Sequence, residues 1–248
     1  MTSVPIAPPQ TVAATVSHRP ARSIDRVARI GGLAYLAMFV SAIFSNFVVI
    51  EGMVHSGDPG ATLTAIEGSL GLFRAGVVGF LAIAVLDVVI AWSLHVLLRT
   101  VDADLSLGAA WLRTAYAAVL AVGVAPLFRV VQLVSGTGVA GDLGDAVGTQ
   151  VMVALSSFQT TWMLGLALFG VHLCVVGRLL VRSGSVSRVL GWMLVVAGAA
   201  YALDTVLRVV LGDYSVIAPV MLAVVAVPSM VGEAWLGGWM AFGRRLRG

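Results

Sequence analysis

Six predominantly apolar runs of twenty residues or more, parted by shorter polar segments, constrain this chain more than any other feature of its sequence. A run of that length, wound as a helix at ~1.5 Å per residue, matches the ~30 Å hydrocarbon layer of a bilayer. Inside that layer every backbone polar group must find a partner within the protein, which leaves only helices or a closed barrel. Barrel strands are about ten residues long and alternate in polarity, whereas these runs are continuously apolar. Composition agrees. Of 248 residues 59% are hydrophobic and only 11% charged, with a mean hydropathy of +1.01. A water-soluble domain carries about 25% charged residues to cover its surface. The sequence therefore predicts an all-α integral membrane protein, a bundle of six transmembrane helices set in a lipid bilayer.

The runs place the spans at about 30–50, 74–98, 109–134, 161–181, 189–211 and 216–242. Residues 1–28 hold four prolines and then Arg19, Arg22 and Arg26, and read as a disordered cytoplasmic tail. A cleaved signal peptide fits less well, because the charges come late and the apolar run is longer than an h-region. Residues 29–248 form the membrane domain. In the first loop, Asp58 before Pro59 makes an N-cap and N1 pair for a short surface helix. The Gly-rich stretch from Ser135 to Thr161 is expected to turn helical in its second half, leading into the fourth span.

Arginine placement orients the bundle. With the N-terminus inside, twelve of the fifteen arginines fall at the cytoplasmic face: 19, 22, 26, 29, 99, 113, 178, 182, 188, 244, 245 and 247. Arg74, Arg129 and Arg208 fall at the opposite side. The positive-inside rule then gives N-in and C-in, as a multi-pass protein of a bacterial cytoplasmic membrane. The net charge of +3 thus serves orientation, and nucleic acid is not an expected partner. A single cysteine, Cys174, excludes an intramolecular disulfide and a multi-cysteine metal site.

Ionisable residues inside spans cost about 2.5–3.5 kcal/mol each at a helix centre, so each one needs a reason. They are Arg74 and Asp87 on the second span, Arg129 on the third, His172 on the fourth, Asp204 and Arg208 on the fifth, and Glu233 on the sixth. Asp204 and Arg208, four apart with the acid first, suit an ion pair on one helix face. Asp87 lies thirteen residues from Arg74, ~20 Å along the helix, so it must be neutral or find its partner on another span. Glu233 stands beside Gly232 and after Pro228, where bent backbone can line a cavity. Arg74, Arg129 and Arg208 share an outer depth, which fits either snorkelling to headgroups or convergence on an anion. His95 and His172 differ by ~15 Å in depth, too far for one metal ion, and no metal or cofactor is expected. No Gly-x-Ser-x-Gly or His-Glu-x-x-His sequence is present, and no catalytic residue is assigned.

Several short segments occur in a recognisable order: Arg29-Ile-Gly-Gly-Leu-Ala-Tyr35, Leu72-Phe-Arg-Ala-Gly76 ahead of Asp87, and Phe169-Gly-Val-His-Leu173. Arg182-Ser-Gly184 with Arg188-Val-Leu-Gly191, Ala197-Gly-Ala-Ala-Tyr-Ala-Leu-Asp204 and Gly232-Glu-Ala-Trp235 follow. From about residue 27 to 245 the set resembles the bacterial membrane family catalogued as domain of unknown function 4386. The resemblance implies a multi-span membrane protein and brings no activity or ligand with it.

The residues themselves favour a non-enzymatic protein that binds or moves a small anionic solute or lipid headgroup. Its polar seam would comprise Arg74, Asp87, Arg129, Asp204, Arg208 and Glu233. A membrane enzyme using Asp87 or Glu233 on a lipid, and a structural or regulatory subunit whose charges serve packing alone, are the alternatives.

Overall fold

The computed structural model describes residues 21–137 and 144–243, whose regular structure is entirely helical. Helix α1 (Ala21–Ala42) continues through π-helical turns at Ile43–Ile50 into α2 (Glu51–Met53). A short α3 (Pro59–Gly68) precedes α4 (Leu70–Leu98). Helices α5 (Ala103–Gly123) and α6 (Ala125–Val134) form one span, interrupted at Val124 where Pro126 cannot donate a backbone hydrogen bond. A 3-10 turn at Gly144–Ala146 leads into the long α7 (Val147–Ser183), then α8 (Arg188–Val210) and α9 (Ala218–Phe242). Six stretches are long and apolar enough to cross a bilayer: Ser23–Met53, Leu70–Leu98, Ala103–Val134, Val147–Ser183, Arg188–Val210 and Ala218–Phe242.

The spans are longer than the apolar runs suggest, because a helix runs on past the hydrocarbon until a cap or a turn ends it. Asp102 caps α5 by accepting from the Leu105 amide at 3.1 Å, so that helix starts at Ala103, six residues earlier than expected. In α7 the early hydroxyls bond back to their own helix, Ser157 to the Val153 carbonyl at 2.8 Å and Thr161 to that of Ser157 at 2.9 Å. Helix begins at Val147, fourteen residues ahead of the fourth apolar run, within the second half of the Gly-rich stretch. The first helix opens at Ala21, which takes part of the segment read as a tail into α1. Residues 1–20 and 138–143 and the arginines 244, 245 and 247 lie outside the described residues. Asp58 does cap the surface helix, accepting from the Ala61 amide at 2.9 Å.

The spans pack in sequence order around a closed ring: α1 on α4, α4 on α5, α5 on α7, α7 on α8, α8 on α9, and α9 back on α1. Lipid supplies little hydrophobic drive between helices, so close backbone approach through small residues has to hold them together. The α7–α8 contact shows how. A Cβ on Gly177 would sit 2.5 Å from the Gly191 carbonyl oxygen, and one on Gly170 would sit 2.5 Å from that of Gly198. Both glycine pairs repeat at seven residues, keeping the two backbones in contact over two turns. Between α9 and α1, Gly237 plays the same part, facing Tyr35. Farther along that seam α9 no longer packs appreciably on the π-helical turns of the first span. Pro228 lies nine residues away from Gly237 and the π-helical turns start eight away from Tyr35, so both helices lose regular hydrogen bonding at one level.

Candidate functional site

The ring of six spans directs one polar side chain from each helix toward a common level. They are Tyr35 on α1, Asp87 on α4, Arg113 on α5, His172 on α7, Tyr201 on α8 and Glu233 on α9. Each lies nine to fourteen residues from the same end of its helix, so about 14–21 Å in at ~1.5 Å per residue. Asp87, Arg113 and His172 are wholly buried and Tyr35 and Glu233 nearly so.

Arg113 is the hub. Its Nε and Nη2 donate to Asp87 Oδ1 at 2.9 and 2.6 Å. Its Nη1 donates to the Tyr35 hydroxyl at 2.6 Å and to His172 Nε2 at 3.3 Å, and Nη2 also reaches Met38 Sδ at 3.3 Å. A guanidinium has five N–H donors, and these five contacts use all of them. The plane also lies over the rings of Tyr35 and Phe169, 4.6 and 5.1 Å from their centres. His172 Nδ1 stands 2.8 Å from the Ala109 carbonyl oxygen, which can only accept. Nδ1 therefore carries the imidazole hydrogen and Nε2 is the acceptor facing Arg113, which makes the ring neutral.

The acids are less well served. Asp87 Oδ2 is buried and has no hydrogen-bond partner among the described residues. Glu233, 8% exposed, makes no hydrogen bond or ion pair among the described residues, although it lies within the electrostatic field of Arg113 and Asp87. Tyr201, edge-on to Phe169, donates to Ser229 at 3.3 Å, one turn from Glu233 on α9. The centre thus holds two carboxyl groups against one guanidinium, within a wall of aromatic rings.

The structure does not bring the six residues singled out from the sequence together. Asp87 and Glu233 enter the centre. Arg208 pairs with Asp204 at 2.9 Å, lies 4.0 Å from the Tyr214 ring centre, and the Tyr214 hydroxyl donates to Asp204. That cluster sits at the far end of α8. Arg74, exposed, donates to Ser135 at 3.0 Å, and Arg129 is exposed on α6. The third and fifth spans do not face one another: α7 packs between them, and α6 makes no appreciable contact with α8.

Arg113 is the correction. Counted from the sequence as a cytoplasmic flank, it lies wholly buried because α5 begins at the Asp102 cap and not near Ala109. Two signals pointed to it. Asp102 is a good N-cap residue eleven positions ahead of Arg113, which sets that arginine three turns deep, and Asp87 had no partner on its own helix.

Among its relatives, an uncharacterized protein of the archaeon Archaeoglobus fulgidus is 28% identical over 132 residues, covering 53% of this chain and 66% of that protein. No solved structure matches. All six residues of the centre and most of the six-helix bundle fall within residues 30–243, the part of the chain that matches the family described as Domain of unknown function (DUF4386), and the protein belongs to that family.

Proposed function

We propose that this protein binds, and moves across the membrane, a small positively charged solute of the organic ammonium class at the centre of its six-helix ring. One observation carries the reading: every span contributes one polar side chain to a common level, and five of those six side chains are buried. Packing alone does not require that. Buried charge is expensive in a membrane and is retained mainly along ligand or ion pathways. The excess of carboxyl over guanidinium favours a cation over the anion that the outer arginines suggested. The surrounding tyrosine and phenylalanine faces suit an ammonium group as well. In this reading the seam where α9 leaves the first span, at Pro228 and the π-helical turns, is the way in from the outer half, as interrupted helices are in many transporters.

Orientation belongs to the same proposal. With Arg113 moved to the centre, six of the described arginines, Arg26, Arg29, Arg99, Arg178, Arg182 and Arg188, stand toward the end of the bundle where α1 begins and α9 ends, and Arg74, Arg129 and Arg208 toward the other. The positive-inside rule makes the former end cytoplasmic.

Thermal unfolding of the purified protein in detergent tests the binding reading. Methylammonium and tetramethylammonium salts are compared with acetate and phosphate at equal ionic strength. The ammonium compounds should raise the melting temperature in the native protein and in Asp204→Asn, and leave Glu233→Gln unmoved. Stabilisation by the anions alone, or by neither set, refutes the proposal.

A further inference from the structure

Arg113 has no donor left for a second acid. Its five N–H groups go to Asp87 twice, Tyr35, His172 and Met38. Glu233 shares the same buried level and receives none of them. The other groups that act on it from the helices packed on α9 are Tyr35 of α1 and Tyr201 of α8, with Asp87 and Arg113 beyond them and His172 against Arg113. Tyr35 and Tyr201 are neutral phenols, His172 is held neutral by its two hydrogen bonds, and Asp87 already neutralises Arg113. An ionised Glu233 in the empty centre would be a carboxylate without a counter-charge in an apolar bundle, the costliest state a side chain can adopt there.

We infer that Glu233 holds a proton while the centre is empty and releases it when a cation binds, so that the site exchanges one H+ for one cation. This rests on the cation-binding reading above. In the exchange the Glu233 O–H bond breaks, its electron pair stays on the carboxylate as the new counter-charge, and the proton passes to water. No oxidant, reductant or further reactant is involved. A single buried site that holds either species but not both is the minimal requirement for coupling their movements in opposite directions.

Two readouts test it. In lipid-reconstituted protein at neutral pH, infrared spectroscopy should show the carbonyl band of a protonated, buried carboxylic acid. The band should vanish in Glu233→Gln and persist, shifted, in Glu233→Asp, which guards against loss of folding in the first variant. In weakly buffered detergent solution, methylammonium should release about one proton per cation bound, and affinity should rise with pH by up to about tenfold per unit. Absence of the band in the native protein overturns the inference, as does a band that stays while methylammonium binds without proton release. In the latter case cation binding survives. A band present in protein that binds no cation refutes exchange and the cation-binding reading together, leaving only a protonated structural acid.

Discussion

Breaking the pair between Asp87 and Arg113 is the most demanding test of how this bundle is held together. Both side chains are fully buried and the carboxylate accepts two guanidinium hydrogen bonds on one oxygen. Each such charge-assisted bond contributes about 1.5–3 kcal/mol, and removing one partner of a buried pair costs about 3–5 kcal/mol because the other charge is stranded. Arg113→Gln should therefore destabilise by about 4 kcal/mol, since it also withdraws the donors to Tyr35 and His172. Asp87→Asn should cost less, because the released guanidinium can turn to Glu233. The double variant strands no charge and should cost about as much as the worse single one. The resulting coupling energy is about 2–3 kcal/mol, the upper range for residues in direct contact. Reversible unfolding in mixed micelles of rising SDS fraction, followed by tryptophan fluorescence, measures all three variants. Losses that add to within about 0.5 kcal/mol would mean the two charges do not depend on one another, and the hub assigned to Arg113 would be wrong.

Asp204→Asn should cost only about 0.5 kcal/mol and the double change with Arg208→Gln about the same, since Arg208 is 35% exposed and keeps part of its hydration; the same unfolding assay reads it. Gly177→Leu should cost about 3 kcal/mol by driving α7 and α8 apart, seen as a lower unfolding midpoint, whereas Gly108→Leu, with open space at its Cβ, should be near neutral. The Leu105 amide that it caps, followed by Arg182 at 3.0 Å, holds the Asp102 carboxyl below the usual carboxylate range. A depressed carboxylate stabilises above its unfolded value near ~3.9 and loses that contribution as pH falls through its lower folded value. The difference in melting temperature between native protein and Asp102→Ala should accordingly shrink between about pH 5 and pH 2. In a Cys174→Ala background, single cysteines at 100–102 and 184–187 should react with impermeant thiol reagents only from the cytoplasmic side, and those at 55–58 and 212–216 only from the other; the reverse pattern would overturn the orientation.

What the sequence determined by itself follows from length and polarity. Twenty-residue apolar runs leave a chain no option but spanning helices, because the bilayer offers no partner for an open backbone. Local chemistry was equally legible, since it depends on neighbours a few residues apart: the Asp58 cap on α3, and the four-residue spacing that pairs Asp204 with Arg208. The centre was only half legible. Asp87 and Glu233 stood out as acids within apolar runs, and the need of Asp87 for a partner from another helix could be argued from distance. Which partner it takes is a property of the ring. Arg113 is twenty-six residues from Asp87, Tyr35 seventy-eight from Arg113, and His172 fifty-nine from it. No periodicity within one helix reports such contacts. They arise only when six helices close around one axis, and that closure was decided by glycine contacts and by where each helix is capped. A start six residues earlier carries an arginine from the end of its helix to a level three turns inside the bundle. A charge at that depth is tolerated only because the surrounding helices bring it partners, which is why tertiary structure, and not the segment's own sequence, made Arg113 the hub.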